Sequence, residues 1–255
     1  MRSLCSRCLS VSILLVLGLA CSLSGTEDLS EYVIGVYVDE GGHPLCVSWA
    51  IQMFEWMGFS IREIEADDVN TGGIGDLSAI YFPGGDSPPY IENITPAGKR
   101  VLLDAVAGGM AYVGTCAGSM FAAEVQVWQG VRYRDGQLGV FHGDAVGPAP
   151  GICGGAEDCT TLLSVNGEHP VGKDASPTIQ VMYFNSPYFR ADLNVETHVL
   201  ASYAATGESA IVAQRNGRGW VLLTGPHPEW EGEETWTFFK GCMLWSLGLL
   251  AAADM

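Results

Sequence analysis

Three short stretches carry residues that could do chemistry together. The first is Gly114-Thr115-Cys116-Ala117-Gly118. An apolar run enters it, and a small-residue run able to continue as helix leaves it. Strand, tight turn, nucleophile and helix in that order is the logic of a nucleophile elbow. Such a turn pushes its cysteine outward at the positive end of a helix dipole, which favours the thiolate. The second stretch is His227-Pro228-Glu229. Proline holds the residue before it extended. In extended chain, residues two apart point to the same side, roughly 6–7 Å from each other. Glu229 can therefore reach back and orient the His227 ring. A cysteine, a base and an acid that orients the base are the three parts of nucleophilic catalysis. The third stretch is Gly84-Gly85. Gly85 and Ala117 would offer backbone N–H groups to an oxyanion, often the largest single contribution in acyl transfer.

Taken singly, each residue has a plainer reading. Cys116 alone is as well explained by an inert buried thiol, His227 by a loop histidine, and Glu229 by a solvated carboxylate beside Glu231, Glu233 and Glu234. Their combination, each at the end of an apolar run, favours the catalytic reading.

The elements that must position them read as follows. Tyr32 to Val38 is a β-rich run of the kind buried on both faces of a sheet. Val47 to Met57 reads as a helix stopped by Gly58, and Phe59 to Ile64 as a second strand. Asn70 to Gly75 reads as loop. Leu77 to Phe82 is a third strand, and Pro96 to Ala107 a helix with proline in its first turn. The elbow strand follows. This alternation predicts a mainly parallel sheet with helices on both faces. Beyond the elbow come short strand-like pieces at 125–128, 139–141, 179–184, 199–203 and 210–214, divided by Gly-, Pro- and Asp-rich loops. They predict partly antiparallel additions. Asn216-Gly217-Arg218-Gly219 predicts a hairpin into Trp220–Thr224, and Trp236 to Leu249 a closing helix. All three chemical stretches then lie at carboxyl ends of strands, where open α/β sheets build their sites.

The chain has 255 residues, 48% of them apolar, with 12 basic against 29 acidic residues and a net charge of −17. Such a surface argues against a nucleic-acid partner and against binding anionic lipid headgroups. Residues 1–20 read as a signal peptide: Arg2 and Arg7, a ten-residue apolar run too short to span a bilayer, then Gly18 and Ala20 before Cys21. The position of Cys21 is similar to a bacterial lipoprotein signal, so lipidation there and free secretion are both open. Either way the protein is expected to be exported, with membrane contact only through an anchor at Cys21. Residues 21–30 read as a tether and 31–251 as one domain. Five cysteines lie beyond the leader region: Cys46, Cys116, Cys153, Cys159 and Cys242. A Gly-rich loop between Cys153 and Cys159 favours a local disulfide in an exported protein. A metal clip there finds no second ligand pair at suitable spacing. Cys46 and Cys242 fall in expected helices, and core packing and pairing are both open for them.

The chain resembles the class I glutamine amidotransferase-like superfamily, and within it the group named for the N-terminal region of biotin-protein ligase. The resemblance rests on Tyr81-Phe-Pro-Gly-Gly-Asp86 with Pro89-Tyr90, Gly114-Thr-Cys-Ala-Gly-Ser119, Leu138-Gly-Val-Phe-His-Gly143 with Gly147-Pro148, Tyr183 to Phe189, Val199-Leu-Ala-Ser-Tyr203, and Gly225-Pro-His-Pro-Glu229. It implies an α/β three-layer sandwich of flavodoxin type. It places nucleophile, base and orienting acid on Cys116, His227 and Glu229, and a pocket around Gly84, Asp86, Tyr90 and Tyr183. The stretch Asn185-Ser-Pro-Tyr188 departs from the glycine-rich run of relatives. No phosphate loop with a lysine is present, so ATP use is not indicated, and no cofactor or metal is implied.

Two functions compete. One is an exported cysteine hydrolase or amidase acting on a small-molecule amide or related acyl compound. The other is a non-catalytic envelope module that binds a small ligand, with Tyr81, Tyr90, Tyr183 and Tyr188 as an aromatic clamp. Redox sensing through Cys116 is a third, weaker reading.

Overall fold

In the computed structural model, residues 28–155, 158–230 and 232–250 are described. The leader, Cys21 and most of the tether lie outside them.

The first strands alternate side chains to two buried faces, as period-two chains do. They are β1 (Val33–Tyr37), β2 (Ser60–Ile64), β3 (Ala79–Phe82) and β4 (Ala111–Thr115). Ala79 and Tyr81 of β3 and Ala111 and Val113 of β4 join one core, while Ile80, Phe82 and Tyr112 join the other. Helix α1 (Pro44–Met57) covers the first core together with the closing helix at Glu233–Ser246. Ala50, Met53, Phe54 and Met57 of α1 meet Phe238, Phe239 and Met243 there. The second core is covered by α2 (Ala66–Thr71), α3 (Ser87–Asn93), α4 (Pro96–Gly108) and α5 (Ala117–Ala122). Pro96 opens α4, and the Thr95 hydroxyl accepts from the Gly98 N–H at 3.1 Å, a side-chain cap on an otherwise unsatisfied donor.

The remaining strands are β5 (Ala123–Trp128), β6 (Val131–Tyr133), β7 (Phe141–Gly147), β8 (Asp158–Val165), β9 (Thr178–Phe184), β10 (Tyr188–Ala191), β11 (Thr197–Tyr203), β12 (Ser209–Asn216) and β13 (Gly219–Thr224), and the closing helix is α6. Among the described residues they complete one sheet in the order β2-β1-β3-β4-β13-β12-β10-β7-β5-β6. Neighbours from β2 to β13 are parallel. That run is the flavodoxin-type order with β13 as its fifth strand. β12 and β13 form the antiparallel hairpin expected at Asn216–Gly219. A branch leaves the sheet at β12: β11 pairs β12, β8 pairs β11, and β9 pairs β8, all antiparallel. Cys153 and Cys159 are joined by a disulfide at the start of this arm, with Cα atoms 5.6 Å apart.

Two short helices were not expected. α2 falls partly in the supposed Asn70–Gly75 loop, and α3 follows the Gly84-Gly85 turn. α2 is set by a reciprocal cap in which the Asp68 carboxylate accepts from the Glu65 N–H at 2.9 Å. His169 is buried against His198 and Trp245. Among the described residues no helix is long and apolar enough to cross a membrane.

Candidate active site

Cys116 is the residue between β4 and α5, with φ 48° and ψ −104°. This is a costly conformation for a side chain bearing a Cβ, and its surroundings hold it there. Its N–H donates to Thr224 O at the end of β13, at 2.9 Å. The Ser119 hydroxyl donates to Gly114 O and Thr224 O at 2.6 and 2.9 Å, and the Tyr112 hydroxyl to Gly118 O at 2.8 Å. Gly118 packs so closely under β3 that a Cβ there would strike the Phe82 carbonyl. Cys116 is 8% exposed, and its thiol points toward Phe184 O at 3.8 Å.

His227 follows β13 by three residues. Its N–H donates to Met182 O in β9 at 2.8 Å, so the antiparallel arm fixes its backbone. Nδ1 lies 2.8 Å from Glu229 Oε1, and Glu229 is fully enclosed. His227 Nε2 and Glu229 Oε2 are buried with no hydrogen-bond partner among the described residues. Burial works against a charged ring. The Glu229 carboxylate, with the Cys116 and Cys46 thiols beside the ring, outweighs it and holds the pKa of His227 well above the usual histidine range.

Gly84 sits where these groups meet. A Cβ built on it would lie 3.4 Å from Cys116 Cβ and 3.1 Å from His227 Nδ1, and would clash with His227 Cε1. A side chain at this position would push the His227 ring out of place. His43 N donates to Gly84 O and Asp86 N to Gly41 O, both at 2.9 Å. These two bonds flank Gly85 and leave its own N–H out of the pairing.

A cavity of about 550 Å³ opens in front of Cys116. Gly85, Asp86 and Ala117 lie on its wall, with Trp128, Phe184 and Asn185 around them.

Residues 33–238 match the family described as biotin-protein ligase, N terminal. The chain belongs to that family. Over 168 residues it is 30% identical to the biotin–protein ligase of Schizosaccharomyces pombe, a match that takes in 60% of this chain and 26% of that one. The chain thus spans about a quarter of that curated relative. Among solved structures it is similar to PurLQS of Thermotoga maritima, with a TM-score of 0.61 at 18% identity, covering 84% of this chain and 99% of that one. It is similar also to a protein described as a GMP synthase component from Thermoplasma acidophilum, with a TM-score of 0.58 at 16% identity, covering 86% and 94%. A β-galactosidase of Bacillus circulans matches too, with a TM-score of 0.53 at 11% identity over 86% of this chain and 31% of that one. These likenesses give the fold, that of class I glutamine amidotransferases, and a fold hosts many chemistries.

In this member of the family, the sequence-derived residues divide into two groups. Cys116, His227, Glu229 and Gly84 converge, and Gly85, Ala117 and Asp86 face the cavity. Tyr90 and Tyr183, expected at the pocket, are not on its wall. Both are buried: the Tyr90 hydroxyl donates to Pro83 O at 2.9 Å and that of Tyr183 to Ala149 O at 3.3 Å. Tyr81 and Tyr188 are likewise enclosed, so the aromatic clamp is core packing. The divergent Asn185–Tyr188 stretch is built by Ser186, whose hydroxyl donates to Phe184 O and accepts from its N–H.

Sequence reasoning missed Cys46. It lies in the first turn of α1, after the carboxyl end of β1, and its Sγ is 3.7 Å from His227 Nδ1. Burial pushes its thiol pKa up. Position at the same sheet edge as the other stretches was the available signal. Met182 and Phe184 were also missed. Their parts are played mainly by backbone, which carries no residue-type signature.

Proposed function

We propose that this protein is an exported cysteine-dependent hydrolase of an amide or related acyl bond, with Cys116, His227 and Glu229 as its triad. The supporting observation is the convergence of the Cys116 Cβ and the His227 ring on the face of Gly84, with Glu229 bonded behind the ring. Cys116 Sγ adds to the acyl carbon, and its proton passes to His227 Nε2, the nitrogen that Glu229 leaves free. The oxyanion is held by the N–H groups of Ala117, in the first turn of α5, and Gly85. The intermediate collapses to a thioester as His227 gives the proton to the leaving nitrogen. Water, deprotonated by His227, then hydrolyses the thioester and restores the thiol. Export is inferred from the leader-like first twenty residues.

The test is mass spectrometry after iodoacetamide treatment at neutral pH. Cys116 should alkylate faster than a model thiol, and the advantage should vanish in His227→Ala. Equal rates in both proteins overturn the reading and leave the binding-module alternative. That alternative expects ligand binding to survive Cys116→Ser with no product formed.

A further inference from the structure

Cys46 is the member of this cluster to which the proposed hydrolysis gives no task. Its Sγ lies 3.7 Å from His227 Nδ1, which lies 2.8 Å from Glu229 Oε1. One ligand atom from each residue falls within 4.8 Å of the other two, and all three side chains are buried. Glu229 Oε2 and His227 Nε2 are enclosed without partners among the described residues. A thiol, an imidazole and a carboxylate are the ligand types zinc takes, and three protein ligands leave a fourth position open. With ordinary zinc bond lengths, sulfur and nitrogen in a tetrahedral site stand about 3.5 Å apart. Cys46 and His227 already stand at 3.7 Å. The nitrogen–oxygen edge, now 2.8 Å, must open by about 0.5 Å. There is also a way in. His227 lines a second cavity of about 310 Å³, whose wall includes Glu233 and Glu234, two carboxylates that attract cations.

We propose that Cys46, His227 and Glu229 form a binding site for one thiophilic divalent cation such as zinc, and that filling it shuts down the Cys116 site. The second half rests on the reading of His227 as the base; the first half does not. Binding forms one bond each to Cys46 Sγ, His227 Nδ1 and a Glu229 oxygen. The thiol proton of Cys46 leaves to solvent, and the single proton of the neutral His227 ring moves from Nδ1 to Nε2. A neutral imidazole bound through Nδ1 carries its proton on Nε2. That nitrogen then cannot accept the proton of Cys116. Glu229 is also drawn off its orienting role.

The experiment uses the full chain, stripped with a chelator and titrated with zinc. Bound metal is counted by elemental mass spectrometry, and cobalt serves as a probe for the thiolate charge-transfer band. Wild type and Cys116→Ser should each hold about one zinc more than Cys46→Ser, and Glu229→Gln should bind about tenfold more weakly or worse. The cobalt band should be absent in Cys46→Ser. Zinc should slow Cys116 alkylation in wild type and leave the rate in Cys46→Ser unaffected. Equal zinc in wild type and Cys46→Ser, or binding lost in Cys116→Ser, overturns the site. Binding through Cys46 with no change in Cys116 alkylation overturns the shut-down. If Cys116 alkylates no faster than a model thiol while zinc still binds through Cys46, the hydrolase reading fails and the metal site stands.

Discussion

Glu229 Oε1 lies 2.8 Å from Nδ1 of His227, and both side chains are enclosed. Removing one partner of such a pair strands the other. Glu229→Ala is expected to cost about 3–5 kcal/mol, read from chemical denaturation. Glu229→Gln, which can still accept from Nδ1–H, should cost less while slowing Cys116 alkylation. A loss under about 1 kcal/mol in Glu229→Ala would show that the pair does not hold the loop.

The same pair sets a pH dependence. Folded His227 holds its proton more tightly than the unfolded chain does. Its stabilising contribution is therefore complete below the unfolded value of about 6.5. It fades as pH rises through the raised folded value. The stability gap between wild type and His227→Gln should be widest below neutrality and narrow in alkaline buffer. A gap that is flat or grows with pH contradicts this.

Alkylation of the native protein should separate Cys46, Cys116 and Cys242, the three free cysteines among the described residues. Cys242 is fully buried and its thiol pKa is pushed well up; that of Cys46 is raised by burial as well. Peptide mapping after brief iodoacetamide treatment should find Cys116 modified first, and all three modified at similar rates in denaturant. Prior labelling of Cys242 would contradict the packing of α6.

Gly84 and Gly118 should fail in different ways. Gly84→Ala pushes a methyl group into the His227 ring. It is expected to abolish fast alkylation while costing about 1–3 kcal/mol of stability. Gly118→Ala drives its methyl into the Phe82 carbonyl, which is backbone and cannot swing aside. Its loss of stability should be the larger of the two. The reverse ranking in thermal melts would contradict the packing of α5 on β3.

Much of this was legible in the chain. The alternation of apolar runs and helices in the first half gave the parallel sheet, because strands buried on both faces leave a strong signal. The approach of His227 to Glu229 and the placing of Cys116 in the turn after β4 were legible because turn chemistry and the His-Pro-Glu spacing are local. What escaped was of two kinds. Six-residue α2 and seven-residue α3, polar or proline-containing, have too few turns to show a period. Cys46 and the tyrosines depend on long-range contact. The partner of Cys46 is 181 residues away, and an aromatic ring beside a motif reads the same whether it lines a cavity or fills a core.

The backbone N–H of His227 is given to Met182 in β9, while that of Cys116 is given to Thr224 in β13. The loop carrying His227 therefore has two anchors, β13 from which it leaves and the antiparallel arm beside it, whereas the Cys116 backbone is held by the parallel sheet. Lengthening or shortening the β8–β9 connection would pull on one anchor of His227 and leave the Cys116 turn in place.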